Sequence, residues 1–211
     1  MSVLFGQDEF VKLKNCMVLY RCALNNMKMR VETLYEDFSN LKPYNPLEHI
    51  KSRLKSAESV AAKLARKNLA LTAEAACGTV MDIAGMRCIC SYSKDIYLVA
   101  EALKRQPDTK ILKEKDYVTH PKATGYRSYH LIIQVPVYLT DYTAHLPVEV
   151  QIRTQAMDFW ASLEHKVRYK YNNVIPNSLK AELVECAEKI AELDKRMYLV
   201  QEIADLVEDK K

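Results

Sequence analysis

Apolar residues at Phe10, Leu13, Met17, Tyr20, Leu24, Met27, Val31, Leu34 and Phe38 alternate three and four apart. Only an α-helix brings such positions onto one face, and the seam holds for about four heptads. At ~1.5 Å per residue it demands a helix roughly 40 Å long. A second seam runs through Leu179, Leu183, Cys186, Ile190, Leu193, Met197, Val200 and Ala204. Pro176 precedes it, and Asn177 or Ser178 can cap its start. A chain with a long helix at each end either folds both seams onto its own middle or shares them with another copy, and both arrangements stay open.

The middle has a different period. Residues 83–91, 110–117, 128–136 and 147–153 are rich in β-branched and apolar residues and read as strands. Residues 56–67, 95–106 and 154–171 read as helices, the first capped by Ser56. The expected class is therefore α+β: a mixed sheet of about five strands flanked by helices. No internal repeat and no linker divides it. One domain is expected over 1–211, with an N-terminal helix over 8–39, a core over 46–171 and a C-terminal helical segment over 177–207.

Composition excludes several classes. Of 211 residues, 49% are hydrophobic and 27% charged, which does not suit a disordered chain. With Gly 4 and Pro 7 it is neither collagen-like nor a low-complexity linker. No apolar run is long enough for a membrane helix. The start, MSVLFGQDEF, carries acids where a secretory leader needs a basic region, so a cytoplasmic protein is expected. Six cysteines form no CxxC pair and read as reduced core thiols. The net charge of +4 is uneven. Residues 49–70 hold six cations against Glu58 alone, whereas 178–211 hold six cations against nine acids. A basic centre between neutral or acidic ends suits a polyanion, whether nucleic acid, nucleotide phosphates or anionic lipid.

The chain lacks the glycine-rich phosphate loops GxxxxGK[ST] and GxGxxG, and HExxH and GxSxG are absent too. Cationic side chains must then handle phosphate. In HIKSRLK (49–55), an extended backbone turns Lys51, Arg53 and Lys55 to one side. The following helix stacks Ser59, Lys63 and Arg66 on one face. A triphosphate fits this cradle, and a solvated basic edge accounts for the same residues. Asp82 begins the strand Asp82-Ile-Ala-Gly-Met-Arg87, where Gly85 permits close approach and Arg87 offers a flat guanidinium for a base or a phosphate. A loop acid and a surface Arg is the plainer reading. Residues 148–153 alternate strictly, placing Glu149, Gln151 and Arg153 on one face. That face is either solvent or the floor of a site, and Asp82 with Glu149 would make a carboxylate pair able to hold Mg²⁺. The loop from His120 to His130 gathers Lys122, Tyr126, Arg127 and His130 around Pro121 and Gly125. It suits a stacked base with its phosphates, or a long surface loop.

With these pieces in order, the chain resembles the small alarmone synthetases, the single-domain branch of the RelA/SpoT homologue family, and in particular the RelQ-type group. The resemblance rests on HIKSRLK (49–55), DIAGMRCIC (82–90), KDY (115–117), GYRSYH (125–130), VEVQIRT (148–154) and MDFWASLEH (157–165). It implies a nucleotidyltransferase-like mixed sheet flanked by helices, a homotetramer, and Mg²⁺-dependent transfer of the ATP pyrophosphate to the 3′-hydroxyl of GDP or GTP. It also implies roles. Arg53 and Arg87 resemble the pair that sandwiches adenine, and Lys55, Ser59, Lys63 and Arg66 the ATP-phosphate contacts. Asp82 and Glu149 resemble the metal ligands, with Glu149 also activating the hydroxyl. Tyr126 resembles the guanine-stacking residue. Lys122, Arg127 and His130 resemble acceptor-phosphate or loop-positioning groups, and Gln151 lines the acceptor side. Asp158 could accept from the guanine edge, or be an exposed polar residue early in a helix. The acceptor-tuning segment reads Lys113-Glu114-Lys115-Asp116, near the basic version. Met29, Glu48 and His49 do not supply the cation and aromatic of the group's central activator site. Two other readings remain: the same fold acting on adenosine nucleotides or the 3′ end of tRNA, and a basic RNA-binding oligomer. RNA is also a possible competitor for the basic cleft of an enzyme.

Overall fold

The structure, a computed structural model, describes residues 5–171 and 174–208. Its elements in chain order are α1 (Gln7–Leu41), β1 (Leu47–Leu54), α2 (Ala57–Arg66), α3 (Ala73–Thr79), β2 (Ala84–Cys90), α4 (Ser93–Lys104), β3 (Lys110–Asp116), β4 (Tyr129–Tyr138), β5 (Thr143–Thr154), α5 (Gln155–Lys170) and α6 (Asn177–Glu208). The strands form one sheet in the order β1-β2-β5-β4-β3. The β2–β5 pair is parallel and the other three are antiparallel, so the sheet is mixed as expected.

The apolar face of the sheet builds the core. Met86, Cys88, Leu131, Ile133, Val148, Val150 and Ile152 are buried there. Helix α1 lays its seam across this face: Leu13, Tyr20, Leu24, Met27, Val31 and Phe38 are buried, and Phe10, Met17 and Leu34 pack at its margin. Helix α4 adds Ile96, Val99 and Leu103, and α2 adds Val60 and Leu64. Ser56 caps α2 as expected, accepting from the Ser59 amide. Helix α3 was not foreseen. Its seven residues are too few and too small to print a period, and Thr72, accepting from the Ala75 amide, caps it.

One expectation needs correction, and one open arrangement is narrowed. The cysteines are not all reduced core thiols: Cys16 and Cys77, 61 residues apart, are joined in a disulfide between α1 and α3, and Cys186 is exposed. Cys88 and Cys90 are buried thiols, and burial pushes Cys88 up to about 12. The C-terminal seam packs inside this chain only along its first half, where Leu179, Leu183 and Ile190 are half-buried. Leu193, Met197 and Val200 are each more than half exposed. The row beside them docks instead, with Ala187 and Asp194 buried. Trp160 Nε1 donates to Leu183 O at 2.9 Å and Tyr92 Oη to Gln201 Oε1 at 3.1 Å. The inward face of α6 combines these polar contacts with Ala187, Ile190 and Ala191 beside Met157 and Trp160.

Candidate active site

A strand shows alternate side chains to opposite faces, so register decides what meets on the polar side. Arg53, Gly85, Glu149, Ile132 and Lys113 stand opposite one another across all five strands. Lys51, Arg87, Gln151, His130 and Lys115 form the next row. Eight of these ten positions are charged or polar, and the two carboxyls of interest, Asp82 and Glu149, lie at the centre.

Two cavities open from those acids. One, of about 210 Å³, lies over β1 and β2 and is lined by Lys51, Arg53, Gly85, Arg87 and Gln151. The other, of about 480 Å³, lies over β3 and β4 and is lined by Lys63, Lys67, Lys113, Lys115, Tyr117, Lys122 and His130. Asp82 and Glu149 line both. A Cβ on Gly85 would meet only Arg53 O at 3.9 Å, so packing does not require glycine there; its absence of a side chain leaves room in the smaller cavity.

Electrostatics keep both acids ionised. Burial raises the Asp82 carboxyl, but Lys63 at 2.7 Å and Lys55 at 3.1 Å more than offset it, leaving it below the ordinary carboxylate range. Burial likewise raises Glu149, and His130 and Gln151 pull it below its usual value, against a push from the charge of Asp82. Asp82 Oδ1 is buried without a hydrogen-bond partner. An orphaned carboxylate oxygen beside a second carboxylate is hard-oxygen chemistry that suits Mg²⁺. Among the described residues no three His, Cys, Asp or Glu side chains converge, so the remaining ligands of such an ion would come from substrate phosphates and water.

Most of the expected residues come together. Arg53, Arg87 and Gln151 line the smaller cavity, Lys63, Lys122 and His130 the larger, and Lys55 reaches Asp82. Besides Lys55, four line neither cavity. Ser59 is exposed and completes the α2 cap with Ser56. Arg66 is exposed at the end of α2, and Lys67 takes the place on the wall. Arg127 points to the far side, where Nη1 donates to Val118 O at 2.8 Å, so of its two expected uses only loop positioning is available here. Tyr126 sits behind the wall, edge-to-face with Tyr117 at 6.2 Å and with His130 at 5.8 Å. Asp158 is not an exposed helix residue: it is buried and pairs with Arg153 at 3.3 Å, Arg87 at 3.6 Å and Lys51 at 3.6 Å.

Lys67 was missed as a site residue, while Lys113 and Lys115 were named only as part of the acceptor-tuning segment and Tyr117 only within the KDY motif. For β3 the signal was in view. Its period of two sends Lys113 and Lys115 to the cavity, while Glu114 pairs with Lys104 at 3.0 Å and Asp116 caps the following turn. Gly125, at φ +86°, lets the loop approach α6, since a Cβ would lie 2.5 Å from Ala187 Cβ.

Comparison with known proteins agrees with this geometry. Residues 52–174 match the family described as the region found in RelA/SpoT proteins. The chain is 45% identical to the GTP pyrophosphokinase YwaC of Bacillus subtilis, covering 91% of each. Its fold superposes on the crystal structure of small alarmone synthetase 2 from Bacillus subtilis with TM-score 0.82 and 44% identity, covering 90% of this chain and 97% of that one. Small alarmone synthetase 1 from the same organism, bound to its product pppGpp, matches with TM-score 0.83 and 34% identity over 89% of this chain and 95% of that one. Sheet order, paired acids and matched sequence converge: the chain belongs to the RelA/SpoT family, alongside its small alarmone synthetases.

Proposed function

We propose that the chain transfers the β,γ-pyrophosphate of ATP to the 3′-hydroxyl of GDP or GTP, releasing AMP and forming ppGpp or pppGpp. The observation that carries this reading is a pair of ionised carboxylates shared by two basic cavities. Two polyanionic substrates need two basic chambers, and the reacting atoms must meet where the chambers join.

In this reading ATP enters the smaller cavity. Arg53 and Arg87 offer guanidinium planes to adenine. Lys55 and Lys63, which hold Asp82 in the free protein, exchange onto the phosphates. The acceptor enters the larger cavity, where Lys113, Lys115 and Lys122 meet its 5′ phosphates and Tyr117, braced from behind by Tyr126, meets guanine. Asp82 and Glu149 would hold Mg²⁺, which neutralises phosphate charge as it builds in the transition state. Glu149, kept ionised, accepts the 3′-hydroxyl proton as that oxygen attacks the β-phosphorus in line and AMP leaves. Holding both substrates in this geometry supplies roughly 7–11 kcal/mol of the barrier.

The exposed apolar stripe of α6 supports a homotetramer. Among the described residues no helix is long and apolar enough to cross a membrane. Use of ATP and guanine nucleotides as substrates suits a cytoplasmic enzyme. RNA, as a polyanion, competes for the same cleft.

The test incubates the protein with ATP, MgCl₂ and, separately, GDP, GTP, ADP and tRNA, then resolves the products. AMP release with GDP or GTP, abolished by a chelator, is expected. Transfer to tRNA alone overturns the acceptor, and no AMP with any of them overturns catalysis. Glu149→Gln keeps the fold and loses about 10²–10⁴-fold in turnover; near-wild-type turnover removes Glu149 from the mechanism.

A further inference from the structure

Among the described residues the largest fully buried side chain is a charged one, Arg153 on β5. At 1% exposure it forms no part of either cavity wall. A buried cation is costly unless its donors are met, and an apolar side chain of similar volume usually packs there as well or better. Its Nε has no partner, so packing alone does not explain it.

Its other donors lead to the reacting centre by two arcs. Arg153 Nη2 donates to Tyr126 Oη at 2.9 Å, and Tyr126 Oη meets His130 Nε2 at 2.8 Å. His130 Nδ1 then meets Glu149 Oε1 at 3.3 Å. On the other side Arg153 Nη2 donates to Gln151 Oε1, and Gln151 Nε2 donates to Glu149 Oε2 at 2.8 Å. The five side chains close a ring. Arginine can only donate and a carboxylate can only accept, which determines the direction of the bonds at Arg153 and at Glu149. His130 carries a proton on Nδ1 toward Glu149, and the Gln151 amide has one orientation. The guanidinium also lies over the Tyr126 ring, 5.4 Å from its centre. A third contact, Nη1 to Asp158 Oδ1 at 3.3 Å, anchors it from behind.

We infer that Arg153 is a positioning residue: it holds the acceptor-side ring of Tyr126 and the carboxylate of Glu149 in one rigid frame, so that seating the guanine nucleotide and aiming the base are a single event. This rests on the functional reading above, in which Tyr126 serves the acceptor base and Glu149 the hydroxyl. Lysine cannot replace the residue, because a point ammonium cannot feed two divergent arcs and cover a ring at once.

The test uses Arg153→Lys, Tyr126→Phe and the double variant. Each single change is expected to raise KM for GDP about tenfold and lower kcat about tenfold, and the double variant to lose little more than the worse single, because both cut one network. Arg153→Lys keeps a charge beside Asp158, so KM for ATP stays within about twofold. Losses that multiply in the double variant, an ATP KM that rises as far as that of GDP, or a wild-type-like Arg153→Lys each overturn the inference. Calorimetric titration of GDP into Arg153→Met, without ATP or metal, gives a second readout: affinity falls about tenfold while cooperative melting persists. Unchanged affinity defeats the inference, and if that variant does not fold the Lys and Phe pair decides. An unmodified protein that binds GDP but releases no AMP defeats the functional reading alone, and the calorimetry still judges the frame.

Discussion

Helices α1 and α6 carry the same kind of seam, yet one is covered along its length and the other is bare over most of its second half. Every seam residue of α1 is buried or half-buried against the sheet. In α6 the seam positions Cys186, Leu193, Met197 and Val200 face outward, and Ile203 beyond them is 62% exposed. Both helices obey the 3.6-residue period. The period says that a helix has an apolar face; it does not say what lies against it. Helix α1 meets a broad apolar sheet face, where area decides. Helix α6 meets a narrower surface on α5 around Met157 and Trp160, and the bond from Thr154 Oγ1 to Asp194 Oδ2 at 2.8 Å fixes it there.

The contrast can be broken at its strongest point. Met27 is fully buried under the sheet, and Met27→Ala should cost about 2–5 kcal/mol in urea unfolding, the range for emptying a packed core site. A loss as small as that of a surface change would mean that α1 is not core. The next effect is pH-dependent and belongs to α6. Burial raises the Asp194 carboxyl, with Thr154 opposing it. The folded state therefore holds this proton more tightly than the unfolded chain. Its contribution is fully present below the ordinary Asp value and is lost as pH rises through the raised folded value. Asp194→Asn should flatten that decline in melting temperature between mildly acid and neutral pH; an unchanged slope would place Asp194 in solvent. The smallest effect is on monomer stability at the bare stripe. Ile203→Glu should change it by no more than about 0.5 kcal/mol while lowering the mass seen by light scattering. An unaltered mass would deny the stripe a role in assembly.

The fold was legible wherever period and length were long. Both long helices, four of the strands and the sheet-flanking helices follow from apolar spacing, and HIKSRLK is extended as β1. Helix α3 was too short to print a period. In the site, the alternation of residues 148–153 placed Glu149, Gln151 and Arg153 together, because a pleated strand has no other choice. What alternation could not show was depth. Arg153 lies beneath Tyr126 rather than in solvent, and Asp158 is drawn in by three cations. The reading of Ser59 and Arg66 erred for a related reason: a shared helix face does not reveal which turn of that face the cleft reaches.

By itself, the sequence determined which segments coil and which extend, that the centre is basic, and that Asp82 just precedes and Glu149 lies within strands able to adjoin. These are local facts, set by side-chain spacing along a backbone of known pitch. Only the tertiary structure decided that both acids border both cavities, that Lys113 and Lys115 join the wall while Arg127 leaves it, and that Arg153 ties Tyr126 to Glu149. Those depend on sheet order and register, which bring residues far apart in the chain within hydrogen-bond reach, and no local period carries that distance.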